Sequence, residues 1–243
     1  MRALEMVGVD IVSLRNPERV VLHDVNWAVE EKDFWAIGGL LATGKSDLLA
    51  TAAGLIPVST GTYRIFGDQI AISYEQGLIE ARLKVGLLFD GGRLLNHLSI
   101  IENVSLPLQY HENLGGVECR DRAATLLEKV GLGEYTSRMP GTINRRLQQR
   151  AGLARALALK PKVLLLDNPL SGLDPREALW WLTFLDQLSA DGVTLVVAAD
   201  DLRPWRGRAR QFAILREKHF VPVGSRDELA AHTEPLLREL LHD

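Results

Sequence analysis

Between Phe34 to Ile37, a short apolar run, and Ser46 to Ala53, a stretch of helical composition that stops at Gly54, the chain reads Gly39-Leu40-Leu41-Ala42-Thr43-Gly44-Lys45-Ser46. No other feature constrains the fold as much. A loop with this spacing, leaving a strand and opening a helix, turns successive backbone N–H groups inward, and the helix N-terminus adds partial positive charge. It can hold a polyphosphate by main chain, with the Lys45 ammonium as a point charge and Mg²⁺ on the Ser46 hydroxyl. An α/β protein that binds a phosphorylated ligand is the expectation.

A second segment supports it. Val163-Leu164-Leu165-Leu166-Asp167 is an apolar strand ending in an acid, as a Mg²⁺-orienting carboxylate beside such a loop would be. Pro169-Leu170-Ser171-Gly172-Leu173-Asp174-Pro175 follows it, and Leu153-Ala154-Arg155-Ala156-Leu157-Ala158 precedes it. Together these segments resemble the ATP-binding cassette (ABC) family, from about Leu4 to Val223. The 167 − 45 = 122 residues between Lys45 and Asp167 leave room for the helical subdomain that this family inserts. The resemblance implies a P-loop NTPase fold with a RecA-like core, an antiparallel β subdomain and an inserted helical subdomain. It also implies Mg-ATP as ligand, with Gly39, Ala42, Thr43, Gly44, Lys45, Ser46, Asp47 and Asp167 at the nucleotide. Ser46 and Asp167 would hold the metal, Asp90 is a further candidate, and Ser171, Gly172, Leu173 and Asp174 form the D-loop.

Composition agrees. With 243 residues, 47% of them apolar, the chain can bury a sizeable core in one large domain or one domain carrying an insertion. A net charge of −3 argues against nucleic acid as a partner, since phosphate backbones need a surplus of Lys and Arg on one face. A lone Cys119 forms no internal disulfide, and no stretch approaches the ~20 apolar residues of a spanning helix. A cytoplasmic protein is expected, reaching any membrane through a partner.

Glu5 to Val12, Val20 to Val29, Lys84 to Phe89, Val163 to Leu166 and Thr194 to Ala198 read as strands. Thr62 to Ile65 and Ile70 to Ile72 read as a hairpin around Gly67-Asp68, and helices are expected at Asp121 to Val130, Leu147 to Ala158 and Pro175 to Ala190. Trp180, Trp181, Leu182 and Leu185 should form the packing face of the last of these. The expected organisation is a single unit over 1–243: a core of 1–90 and 159–223, a helical insert over 91–158, and a tail over 224–243 with two short amphipathic helices.

Gly86-Leu87-Leu88-Phe89, Asn103-Val104-Ser105-Leu106-Pro107-Leu108 and Glu234-Pro235-Leu236-Leu237-Arg238-Glu239-Leu240-Leu241 look like the ATP-binding subunits of Mla-type and Mce-associated lipid transporters. That likeness implies a membrane permease, a second cassette subunit in a homo- or heterodimer, and a place at the cytoplasmic face of the inner membrane.

The departures from the family pattern carry as much information. Met1 to Asn26 lacks the aromatic that would stack on adenine, Ala42 replaces a usual glycine, and Asp47 replaces a hydroxyl donor to the α-phosphate. Asp90 stands where the family has Gln. The signature loop falls on Ile143-Asn144-Arg145-Arg146-Leu147, where Arg145 and Arg146 replace glycines; they either fill the space meant for a partner's γ-phosphate or contact phosphate by charge. Asn168 replaces the general base Glu, and Asp200 the switch His. The leading expectation is a catalytically degenerate cassette subunit with a structural or regulatory role. The rivals are a working ATPase with Asp90 or Asp200 standing in for the base, and a P-loop nucleotide sensor without a permease.

Overall fold

The computed structural model describes residues 1–58, 60–70, 76–112, 114–232 and 234–241. In chain order, β1 (Arg2–Val12), β2 (Val20–Glu30) and β3 (Phe34–Gly38) lead to α1 (Lys45–Ala52), then β4 (Thr62–Ile65), β5 (Asp68–Gln69), α2 (Gln76–Leu83) and β6 (Val85–Leu88). Three helices follow: α3 (Ile100–His111), α4 (Gly116–Lys129) and α5 (Arg145–Leu157). The chain closes with β7 (Val163–Asp167), α6 (Pro175–Ala190), β8 (Thr194–Ala199), β9 (Gln211–Arg216), β10 (His219–Ser225), α7 (Arg226–Ala231) and α8 (Pro235–Leu241).

The strands join in the order β5-β4-β1-β2-β10-β9-β3-β8-β7-β6. β9, β3, β8, β7 and β6 run parallel, whereas β1, β2, β4 and β5 pair antiparallel. Sequence explains the division. Every residue of β3, β7 and β8 is buried, as continuous apolar runs require when both faces of a parallel sheet are covered. β2 alternates instead, burying Leu22, Val25, Trp27 and Val29. On β3, Phe34 and Ala36 join a core with α3, α4 and α6, while Trp35 and Ile37 join one with α1, β1 and β2. The strand is thereby clamped from both sides, and its end at Gly38 feeds straight into the glycine loop. The expected α/β class, with an antiparallel β part and a helical insert, is the observed one.

Several local expectations need correction. The second hairpin strand is Asp68–Gln69 rather than Ile70 to Ile72, because Phe66 and Gly67 make the turn at φ +49° and +87° and pairing resumes at Asp68 against Ile65. Residues 71 and 72 lie outside the described residues. α5 begins at Arg145 rather than Leu147, because the Asn144 side chain caps it by accepting from the Leu147 backbone N–H at 3.0 Å. α4 begins at Gly116, ahead of Asp121. α2, α3, β9 and β10 were not read from the sequence. α3 opens with a capping box between Ser99 and Glu102 and carries Pro107 inside. On α6, Trp181 and Leu185 are fully buried, and Trp180 and Leu182 are half-buried against the same core.

Candidate functional site

The loop after β3 takes the shape its glycines allow. Gly44 sits at φ +99° as the residue before α1, and a Cβ on Gly39 would come within 2.6 Å of Thr43 Oγ1. Thr43 Oγ1 donates to the Leu40 carbonyl at 2.9 Å, which closes the loop on itself. Ala42, expected to stand where the family has a glycine, adopts φ +62° with its side chain exposed, a left-handed conformation that costs an alanine about 1–2 kcal/mol.

Lys45 opens α1 and is only 6% exposed. Its ammonium donates to the carbonyls of Gly39 at 2.6 Å and Leu40 at 2.7 Å, and it pairs with Asp200 Oδ1 at 2.7 Å. Beside it, Ser46 Oγ donates to Asp167 Oδ2 at 2.6 Å. Burial pushes the Asp167 carboxyl above its ordinary value; the Ser46 hydrogen bond opposes that and the nearby Asp90 charge adds to it. A cleft of about 200 Å³ joins the loop to Asp90, Asp167, Asn168 and Asp200.

Asn168 follows β7 at φ +47°, a conformation that asparagine tolerates better than most residues. Its Nδ2 donates to Asp200 Oδ2 at 3.0 Å, and its Oδ1 accepts from the Asp200 backbone N–H at 3.0 Å. Asp47 lies on the first turn of α1, where its Oδ1 accepts from the Leu14 backbone N–H at 2.7 Å. The carboxylate thus fastens the β1–β2 turn to the loop's helix.

The remaining sequence candidates lie together on the helical side. Asn144 is the cap of α5; Arg145 and Arg146 therefore occupy a helical turn and not an open loop. Arg145 Nη2 reaches Asp90 Oδ1 at 2.5 Å, and Arg146 pairs with Asp174. Asp174 also caps α6, accepting from the backbone N–H groups of Arg176 and Glu177 at 3.0 Å each, and these bonds hold its carboxyl below the usual range. Ser171 and Gly172 are exposed beside it, while Leu173 packs against the core.

The supporting roles of two residues escaped the sequence reading, Gln149 altogether and Arg155 although its segment was singled out. Gln149 is buried on α5 and donates to the Pro169 carbonyl at 3.1 Å, tying that helix to the segment after Asn168. Arg155 Nη2 donates to the carbonyls of Gly92 at 2.9 Å and Arg93 at 3.0 Å, and its burial pulls the guanidinium below its ordinary value. For Arg155 the available signal was a charge set between Ala154 and Ala156; Gln149, between Gln148 and Arg150, offered none.

These residues fit the phosphates and metal of Mg-ATP on their chemistry. The loop has no room for a Cβ at Gly39, a shielded lysine faces it, and the Ser46–Asp167 oxygens sit side by side where a hard cation takes ligands. Bound there, Mg²⁺ would offset phosphate charge.

Residues 22–171 match the family described as ABC transporter. The chain is 31% identical over 223 residues to the probable ribonucleotide transport ATP-binding protein mkl of Mycobacterium leprae, covering 91% of this chain and 64% of that longer protein. It is 30% identical over 237 residues to the intermembrane phospholipid transport system ATP-binding protein MlaF of Escherichia coli, covering 97% and 88%. A dimeric ATP-binding cassette solved in a post-hydrolysis state with ADP and Pi superposes with a TM-score of 0.80 at 27% identity, over 89% of this chain and 95% of that one. On the family match over 22–171 and the relatives at 30% identity or more, the chain belongs to the ABC transporter family.

Proposed function

We propose that this chain is the ATP-binding subunit of a membrane transporter for a lipid or another hydrophobic substrate, and that it binds Mg-ATP weakly and hydrolyses it at no more than background. The arrangement Lys45–Asp200–Asn168 carries the reading: the position that should polarise water holds an amide, and that amide is already engaged with Asp200. Asp90, the other acid that could serve, is engaged with Arg145. The phospholipid system to which MlaF belongs supports the choice of cargo class.

In this reading 1–90 and 159–223 form the nucleotide core, 91–158 the helical insert and 224–243 a tail. Gly39, Ala42, Thr43, Gly44, Lys45, Ser46, Asp47 and Asp167 line the nucleotide. A groove of about 440 Å³ between β6 and α3, with Leu87, Leu106 and the exposed Tyr110 in its walls, suits an apolar helix of a permease. The chain would lie at the cytoplasmic face of the inner membrane, paired with a second cassette subunit. A steady-state ATP turnover assay on the isolated chain and on its membrane complex, beside an intact cassette as control, tests the proposal. Turnover in the complex that disappears on Lys45→Ala of this chain would overturn it in favour of a working ATPase.

A further inference from the structure

We infer that Asp200 sets which nucleotide this site accepts, disfavouring a third phosphate so that the loop takes a nucleoside diphosphate in preference to a triphosphate. The inference rests on the reading that the glycine loop holds a nucleotide. An ammonium has three hydrogens, and Lys45 faces three oxygens at hydrogen-bond distance: Gly39 O at 2.6 Å, Leu40 O at 2.7 Å and Asp200 Oδ1 at 2.7 Å. With only 6% of Lys45 exposed and two of its hydrogens given to the loop carbonyls, the ammonium's remaining charge is turned toward Asp200 as an ion pair. A terminal phosphate that uses this lysine has to displace Asp200.

The carboxylate resists displacement. Its second oxygen accepts from Asn168 Nδ2 and its backbone N–H donates to Asn168 Oδ1, both at 3.0 Å, so side chain and main chain are fixed together. Asn168 is itself held at the end of β7, where its backbone N–H donates to the Ala198 carbonyl on β8 at 2.8 Å. Asp47, Asp90 and Asp167 line the same cleft; Asp47 is turned to the Leu14 backbone N–H and Asp90 is paired with Arg145, so Asp167 and Asp200 are the carboxylates set beside the lysine. A diphosphate held by the backbone N–H groups of the loop leaves this network in place. A third phosphate adds negative charge on the acidic side, against a fixed carboxylate in a partly desolvated site, where like charges repel more strongly than in water.

Titration calorimetry on the purified full chain, with Mg-ADP and the non-hydrolysable triphosphate Mg-AMP-PNP, separates the cases without reading turnover. The unaltered chain should bind Mg-ADP about tenfold more tightly than Mg-AMP-PNP. Asp200→Asn removes the charge and keeps the shape; it should tighten Mg-AMP-PNP about tenfold and change Mg-ADP by no more than about twofold. Asp200→Ala, with its fold checked by thermal unfolding, should act in the same direction. Equal changes for both nucleotides, or tighter binding of the triphosphate by the unaltered chain, would overturn the inference and leave the nucleotide site standing. If neither nucleotide binds to the unaltered chain or to either variant, the reading of the loop as a nucleotide site fails along with it.

Discussion

Asn168 and Asp200, 32 positions apart, bind each other through two hydrogen bonds of opposite sense, with the amide donating to the carboxylate and accepting from the Asp200 backbone, each at 3.0 Å. Only a group that both donates and accepts completes this pair. A carboxylate at position 168 would face another carboxylate and lose one of the two bonds.

Asn168→Glu is therefore expected to leave ATP turnover at background although it supplies the family's base. Groups that act as a unit are strongly non-additive, and Asp200 and the helical turn at Arg145 and Arg146 remain. The same substitution should lower Tm by about 2–8 °C, from charge repulsion and from a left-handed φ less suited to Glu. A coupled-enzyme assay and thermal unfolding read the two effects; robust turnover by the single variant would show that Asp200 is harmless.

Lys45→Ala should raise the Kd for Mg-ATP at least about tenfold, or beyond detection. Stability should fall as well, by about 1–3 kcal/mol, because the 6%-exposed lysine is the donor to the Gly39 and Leu40 carbonyls and the charge beside the buried Asp200 Oδ1. Calorimetry with Mg-ATP and a urea melt check the pair of expectations.

Asp167 gives a pH dependence of definite sign. Its folded-state pKa lies above the unfolded value, so its contribution is fully present below the ordinary carboxylate range and is lost as pH rises through the raised value. Asp167→Asn, which keeps an oxygen for Ser46, should raise Tm at pH 7, with the gain shrinking toward zero as pH falls to about 4. Any stabilisation by Mg²⁺ should vanish in the same variant. Thermal melts across pH, with and without the metal, measure both.

Gly92 lies where the chain leaves β6 for the helical insert, at φ +79°, and a Cβ there would sit 2.3 Å from the Gln148 carbonyl oxygen of α5. Gly92→Ala is expected to cost about 2–5 kcal/mol, from strain and from pushing α5 off the core. Thermal unfolding should show a fall of at least ~5 °C, and Gly141→Ala, with open space at its Cβ, is the matched control.

The glycine loop and the apolar strands β3, β7 and β8 were legible because local spacing and continuous burial determine them. α3 was not, since Pro107 interrupts its apolar pattern while its helix signal, the Ser99–Glu102 capping box, lies a turn and more upstream. β9 and β10 form a hairpin with each other and were missed because Glu217 and Lys218, at φ +50° and +63°, make its two-residue turn where Asn and Gly are the usual signal. At the site, residue types marked expected departures from the family pattern but not that these residues meet one another. Asp90 with Arg145, Arg146 with Asp174, and Asp200 with both Lys45 and Asn168 are pairings between distant segments, visible only once the chain is folded.

α5 carries Arg145 and Arg146 in its first turn and Arg150 in its second, at the end where a helix's own dipole is positive and cations are disfavoured by about 0.3–1 kcal/mol each. Their counter-charges come from outside the helix: Asp90 after β6, and Asp174 and Glu177 at the start of α6. Left to itself, this end of α5 repels its own side chains; set against the assembled sheet and α6, it is neutralised. Because Asp90, Asp174, Arg145 and Arg146 are all more than a third exposed, added salt loosens that turn before it loosens anything in the sheet.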